Sequence, residues 1–351
     1  MLNHIIDTSQ EKRVRHIIVG LLVIAWAGLF LALPSITIAG DFYPIYHGAR
    51  TLLAGNNPYS DAAVKELQQL WPSPLAASGF AYPLPLAMVV APLALLPVSI
   101  ATVVWLLIGG ALAFSVARLR PDWPNAPLLP LLWMPLFDAV WARQVTLVWF
   151  GLVVLLLLAF RSRRAWVAGL CIVLLPVKPQ IGLLFAIYGL VRGWNEQRRV
   201  LGWALAFGAL VWGGSLLIQP TWIADWLAVL PRYESVNNRV SLFPWSLVLV
   251  VVTWHLPWPA RLAAAQVALF PLNAVYTPLP LLLVGMSMGN RLALICMAVS
   301  WLYLPFRDTG SAPLVYLTMI VPILVGAYLD RRQKNARVRL ARAANNQPAG
   351  D

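Results

Sequence analysis

The sequence predicts an all-α polytopic membrane protein with roughly 10–12 helices in the membrane, several of them short and broken. Three observations carry that prediction. Hydrophobic residues fill 60% of the 351 positions and charged residues 11%, against about 25% charged in a soluble domain. Mean hydropathy is +0.73, and the apolar stretches are continuous rather than alternating, which excludes the strands of an outer-membrane barrel. The formal net charge of +13 is spread in short clusters between apolar runs. That is the pattern of the positive-inside rule rather than of a solvated nucleic-acid-binding face, so nucleic acid is not expected as a partner.

The clusters assign sides to the chain. Lys12, Arg13 and Arg15 precede the first apolar run, residues 17–33, and put the N-terminus in the cytoplasm. Residues 38–40 resemble a signal-peptide cleavage site, but the run is long for a signal and many spans follow, so an uncleaved first span is expected. Arg161, Arg163 and Arg164 mark a second cytoplasmic loop, and Arg192, Arg198 and Arg199 a third. Arg331, Arg332, Lys334, Arg337, Arg339 and Arg342 place the C-terminus on the same side. Residues 1–330 read as one transmembrane domain. Residues 331–351 lack an apolar face and read as a basic, disordered cytoplasmic tail near anionic membrane lipid. Two loops then fall outside, at 40–80 and 220–241.

The first outer loop has helical order of its own. Ile45, Ala49 and Leu52 share a face, and residues 55–58 end that helix. Ser60 can cap a second helix on which Val64, Leu67 and Leu70 align. Both are expected to lie as amphipathic helices on the outer membrane surface. Deeper in the chain, residues 165–191 run from one cytoplasmic cluster to another, so they cross twice or not at all. They break at Lys178-Pro179 into pieces of about 13 residues, each about 20 Å long against about 30 Å of hydrocarbon. Backbone at such a tip survives only where it lines a cavity or is buried in protein. Similar breaks are expected at Arg143-Gln144 and at 276–278.

The unusual residues gather at these places. Lys178 at membrane depth costs roughly 2.5–3.5 kcal/mol. It either pairs with a carboxylate or helix carbonyls, or faces an anionic ligand. Arg143, Arg232, Arg239 and Arg307 fall on the side where basic residues are disfavoured, and together they suggest a phosphate-bearing ligand. Asp41 follows the first span. It is either the N-cap of a helix beginning near Tyr43 or a general base at the membrane surface. Tyr43, Tyr46, Tyr59 and Tyr82 are the tyrosines best placed to stack on a sugar, and Gln144, Gln180 and Tyr276 stand at the breaks as further sugar contacts. The remaining aromatics, among 17 tryptophans, read as interface belts. Cys171 and Cys296 read as small core residues. His4, His16, His47 and His255 show no metal-ligand spacing, so no metal site is expected.

One block of residues has a family likeness. Asp41-Phe42, Tyr46, Ala49-Arg50, Leu52-Leu53, Gly55 and Pro58-Tyr59 resemble the first outer loop of glycosyltransferase family 87, one of the multispan GT-C enzymes. Residues 82–86 and 91–97 resemble its second span, and Lys178-Pro179-Gln180 its Lys-Pro break. Arg143-Gln144-Val145 lies where the family often has Gly-Gln-Val-Asn, and 239–242 faintly resemble a further segment. The likeness covers about residues 15–330. It implies a GT-C-like bundle that takes a hexose, commonly mannose, from a polyprenyl-phosphate carrier and joins it to a hydroxyl of a glycan or glycolipid outside the cytoplasm. It further implies Asp41 as the general base of one inverting displacement, with Lys178 and one of Arg232, Arg239 or Arg307 around the leaving phosphate. No cofactor is implied beyond the donor. The expected location is the plasma (inner) membrane, with the active site on the outer side. The competing reading is a transporter or lipid flippase with a broken-helix anion site, or a non-catalytic homologue.

Overall fold

The computed structural model describes residues 2–32, 40–71, 73–236, 243–270, 275–309 and 311–345, and every regular element among them is helical. Arg239 and residues 346–351 lie outside the described residues. Helix α1 (Leu2–Ala32) leads to a 3₁₀ turn (Gly40–Phe42), α2 (Tyr43–Leu53), α3 (Asp61–Leu70) and a second 3₁₀ turn (Pro74–Ser78). Then come α4 (Leu84–Ala94), α5 (Val98–Phe114), α6 (Leu128–Leu132), α7 (Met134–Trp141) and α8 (Val145–Arg161). Helix α9 (Ala165–Leu174) is followed by α10 (Pro179–Glu196), α11 (Arg199–Gly208), a π-helical turn (Ala209–Gly213) and α12 (Gly214–Ile218). The last third holds α13 (Trp222–Val236), α14 (Leu247–Thr253), α15 (Trp258–Leu269), α16 (Leu282–Ser287) and α17 (Asn290–Val299). A 3₁₀ stretch (Ser300–Thr309), α18 (Ala312–Val315) and α19 (Val321–Asn345) complete it.

Four stretches are long and apolar enough to cross a membrane: Arg13–Ala32, Val98–Leu119, Arg199–Ile218 and Pro313–Ala336. Three shorter apolar helices lie among them. The long stretches are peripheral. Along α1, Ile17, Leu21, Ile24 and Leu31 are all exposed, while Trp26, Leu29 and Phe30 pack inward, on Phe137, Trp141, Trp301 and Leu304. Such an apolar exterior suits hydrocarbon, not water. Helix α8 is the opposite case. It is apolar all round and buried nearly all round, as a central helix must be. It packs so closely on α5 that a Cβ on Gly151 would lie 2.4 Å from the Leu112 Cβ.

The breaks fall where the sequence placed them. Helix α7 ends at Trp141 and α8 begins at Val145; α9 and α10 divide at Lys178; and α15 and α16 are separated around Thr277. Breaks leave carbonyls without helical partners. Tryptophan indoles satisfy several of them. Trp26 and Trp301 donate to the carbonyls of Leu131 and Leu132, at 3.0 and 2.8 Å. Trp212 and Trp149 donate to Val173 and Leu174, at 3.0 and 2.9 Å. These tryptophans therefore do structural work at the breaks that an interface-belt reading misses, because non-helical backbone in an apolar medium needs a donor.

Three expectations are revised. Helix α2 does not rest on the outer surface: Ile45, Tyr46, His47, Gly48, Ala49 and Thr51 are all buried, and it packs against α4. Residues 222–236, read as part of a loop, form helix α13, which packs on the 3₁₀ turn at Pro74–Ser78 and is tied to the preceding segment by Asn57, whose amide donates to Asp225 at 3.0 Å. The chain beyond 330 continues as helix to Asn345. Its Arg, Lys, Ala and Leu are strong helix formers, which outweighs the lack of an apolar face.

Arg307 clamps α7. Its guanidinium lies 3.3 Å from the Asp138 carboxylate, with both side chains 8% exposed, and sits 3.5 Å above the Trp141 ring. Removing one partner of a buried pair costs about 3–5 kcal/mol, whereas replacing both by apolar groups is often near neutral. Arg307→Met should therefore lower the melting temperature sharply in detergent, and adding Asp138→Leu should recover much of the loss. Additive losses in the double variant would contradict the pairing.

Candidate active site

Helix α7 closes with a Schellman turn. The Gln144 amide donates to Ala139 and the Arg143 amide to Val140, at 2.8 and 3.1 Å. Arg143 takes the left-handed conformation at φ 55°, the position where Gly is commonest. Its guanidinium turns away from the site, donating to the Trp141 carbonyl and lying 5.0 Å from the Phe30 ring centre. The turn leaves the Ala142 carbonyl pointing outward, and the Asp41 amide donates to it at 3.0 Å. Gly40 permits that approach. It has φ +47°, and a Cβ there would lie 2.7 Å from the Ala142 oxygen. The Gln144 side chain then donates to the Asp41 carboxylate.

Asp41 is thus held by backbone on one side and by an amide on the other. It does not cap α2, whose N-cap is Phe42 with no side-chain hydrogen bond. It lies in the segment that follows α1. Burial pushes its carboxyl up to about 6, against the opposing pull of the Gln144 hydrogen bond and of the Lys178 and Arg143 charges.

Lys178 stands at the N-cap of α10. Gln266 of α15 fixes this break from behind: its amide donates to the Pro179 carbonyl at 2.7 Å and its oxygen accepts from the Leu184 amide at 3.0 Å. Among the described residues no carboxylate lies within ion-pair distance of Lys178. Its Nζ lies 5.4 Å from the Tyr276 ring centre, a cation–π contact.

Two cavities meet here. The larger, about 230 Å³, is lined by Lys178, Gln180, Trp226, Thr277 and other residues. The smaller, about 60 Å³, is lined by Asp41, Pro44, Trp71, Gln144 and others. Ala81, Tyr82, Tyr233 and Tyr276 line both. The structure therefore brings Asp41, Lys178, Gln144, Gln180, Tyr82 and Tyr276 to the lining of these two cavities.

Other expected residues lie elsewhere. Arg232 is exposed, pairs with the exposed Asp61 at 3.0 Å and lines neither cavity. Arg307 is engaged with Asp138, and Arg143 with Trp141 and Phe30. Tyr46 and Tyr59 are buried, with hydroxyls spent on the carbonyls of Leu96 and Tyr82, both at 2.8 Å. Tyr43 packs on Trp71. Tyr233, Trp226 and Thr277 enter the lining unforeseen. Tyr233 follows Arg232 in sequence, and an aromatic beside a candidate phosphate-binding arginine was the signal that could have found it.

Holding an ionised Asp41 in this setting strains the fold. The cost is absent below about pH 4, where the carboxyl is protonated folded and unfolded alike. It is complete above about pH 6, and a pKa unit corresponds to about 1.4 kcal/mol. Asp41→Asn should raise the melting temperature at pH 8 and lose that advantage near pH 4. An unchanged or lower value at pH 8 would contradict the assignment.

No curated protein and no solved structure shows a significant match to this chain. The profile of glycosyltransferase family 87 matches residues 80–305, which include Tyr82, Gln144, Lys178, Tyr233 and Tyr276 and begin after the segment that carries Asp41. With well over half of its length matched, the chain belongs to glycosyltransferase family 87, and it is a membrane glycosyltransferase.

Proposed function

We propose that this enzyme moves a hexose, mannose or a close relative, from a polyprenyl-phosphate carrier to a hydroxyl of a glycan or glycolipid acceptor. The reaction takes place on the extracytoplasmic side of the plasma membrane and inverts the anomeric centre. One observation carries the reading. A half-buried carboxylate and a lysine with no ion-pair partner among the described residues open into adjoining cavities whose shared lining is Ala81 and three tyrosines. A sugar ring spanning that wall would have its phosphate beside Lys178 and its other face toward Asp41.

The chemistry follows from those positions. Asp41 takes the proton of the acceptor hydroxyl as its oxygen attacks the anomeric carbon. A carbon–oxygen bond forms to the acceptor, and the bond from the anomeric carbon to the phosphate oxygen breaks. The lipid phosphate leaves with the electron pair and needs no acid, only positive charge nearby, which Lys178 supplies. Gln144 acts through Asp41: its amide fixes which carboxylate oxygen faces the acceptor. Tyr82, Tyr233 and Tyr276 offer ring faces and hydroxyls to the sugar.

Transfer measured with a short-chain polyprenyl-phosphate hexose should fall about 10²–10⁴-fold in Asp41→Asn, the usual contribution of a general base. Donor KM should change little. The wild-type rate should fall on acidification with an apparent pKa near 6, since only the ionised carboxyl accepts a proton. Full activity in the variant, or an acid limb near pH 4, would overturn the role given to Asp41.

A further inference from the structure

Helices α8 and α10 carry the candidate site at their N-terminal ends, through Gln144 and Lys178. Their far ends hold a second feature. Arg161 ends α8, 17 residues and about 25 Å along its axis. Arg192 lies near the end of α10. Together with Arg120, which follows α5, they line a cavity of about 530 Å³. Tyr188, Trp258 and Met286 provide aromatic and apolar wall. No carboxylate is among the lining residues.

The three guanidiniums are only partly used. Arg120 bonds the Met286 carbonyl at 2.6 Å and, through Nε, Asp122 at 3.3 Å. Arg161 bonds the Leu119 carbonyl at 2.9 Å. Arg192 bonds Glu196 at 2.7 Å and the Tyr188 hydroxyl at 3.0 Å. All of these bonds use Nε or Nη1. Each arginine keeps its Nη2 amino group without a protein partner among the described residues. The carboxylates that do appear, Asp122 and Glu196, are 69% and 56% exposed, so solvent screens them.

Three fixed guanidiniums presenting free N–H groups match the oxygens of a phosphate. The apolar and aromatic wall matches the start of an acyl chain rather than bulk water. A helix length of about 25 Å from the candidate site puts the cavity near the opposite membrane interface, given a hydrocarbon layer of about 30 Å. We infer that the cavity lined by Arg120, Arg161 and Arg192 binds the phosphate headgroup of an anionic phospholipid at the membrane face opposite the candidate active site. Its occupant would brace the ends of α8 and α10. The inference does not depend on the transfer reaction.

The full-length protein in detergent serves for the test, titrated with phosphatidylglycerol, phosphatidylcholine or inorganic phosphate and followed by native mass spectrometry and thermal melting. Phosphatidylglycerol should be retained and raise the melting temperature, and phosphatidylcholine should do neither. The Arg161→Gln/Arg192→Gln variant should bind phosphatidylglycerol at least about tenfold more weakly, whereas Arg331→Gln/Arg332→Gln should bind it as wild type does. Equal phosphatidylglycerol binding in wild type and the first variant would overturn the site, as would phosphatidylcholine binding as tightly. Arginine-dependent protection by inorganic phosphate at the same concentrations would overturn the lipid as its source. Should the first variant not fold, a phosphatidylglycerol bearing a photoreactive headgroup decides on the wild-type chain. Labelling at 257–259 or 283–287 supports the site, and labelling confined to 331–345 overturns it.

Discussion

The contact on which the candidate site depends is the docking of Gly40-Asp41 onto the turn between α7 and α8. The Asp41 amide meets the Ala142 carbonyl, and the Gln144 amide meets the Asp41 carboxylate. Segments about a hundred residues apart in sequence are thereby fixed within hydrogen-bond length. The rest of the architecture serves this contact. Arg307 and Asp138 hold α7 in place, Trp26 and Trp301 satisfy the carbonyls before it, and α8 is packed on nearly all sides. A carboxylate with few degrees of freedom needs little reorganisation to act as a base.

The second constraint is the broken helix at Lys178. A break in an apolar medium exposes backbone that must find partners within the protein. Here Trp149 and Trp212 donate to carbonyls on one side, and on the other Gln266 donates to the Pro179 carbonyl and accepts from the Leu184 amide. The break is therefore held on both sides, and the lysine it carries lines a cavity with no ion-pair partner among the described residues. Lys178 and Asp41 each act on the electrostatics of the other without forming an ion pair.

Much of this was legible in the sequence. The helical class followed from continuous apolar runs, and the breaks from Lys-Pro, Arg-Gln and Thr-Pro pairs inside them. The Ser60 cap was also readable, and its hydroxyl accepts from the Ala63 amide at 3.2 Å. Asp41 and Lys178 stood out because charge is rare here. The arginines were harder. Arg232 and Arg307 look alike in sequence, yet one pairs on the surface and the other inside, since their partners Asp61 and Asp138 lie far away along the chain. The tyrosines failed similarly: a hydroxyl's use depends on which distant carbonyl it reaches. Tyr46 and Tyr59 spend theirs on backbone, while Tyr82 and Tyr276 keep their rings at the cavities. Arg143 shows the reverse. Its departure from the family's usual Gly is explained by a left-handed turn that Gly suits best and that Arg here adopts with its side chain stacked on Phe30.

The proposed reaction needs one substrate to bridge Lys178 and Asp41. Its most direct test is an experimental structure of the Asp41→Asn protein with a short-chain polyprenyl-phosphate hexose bound. A phosphate oxygen should lie about 3 Å from the Lys178 Nζ, with the sugar across the tyrosine wall and its anomeric carbon facing residue 41. A donor seated with its phosphate away from Lys178, or its sugar turned away from residue 41, would contradict it.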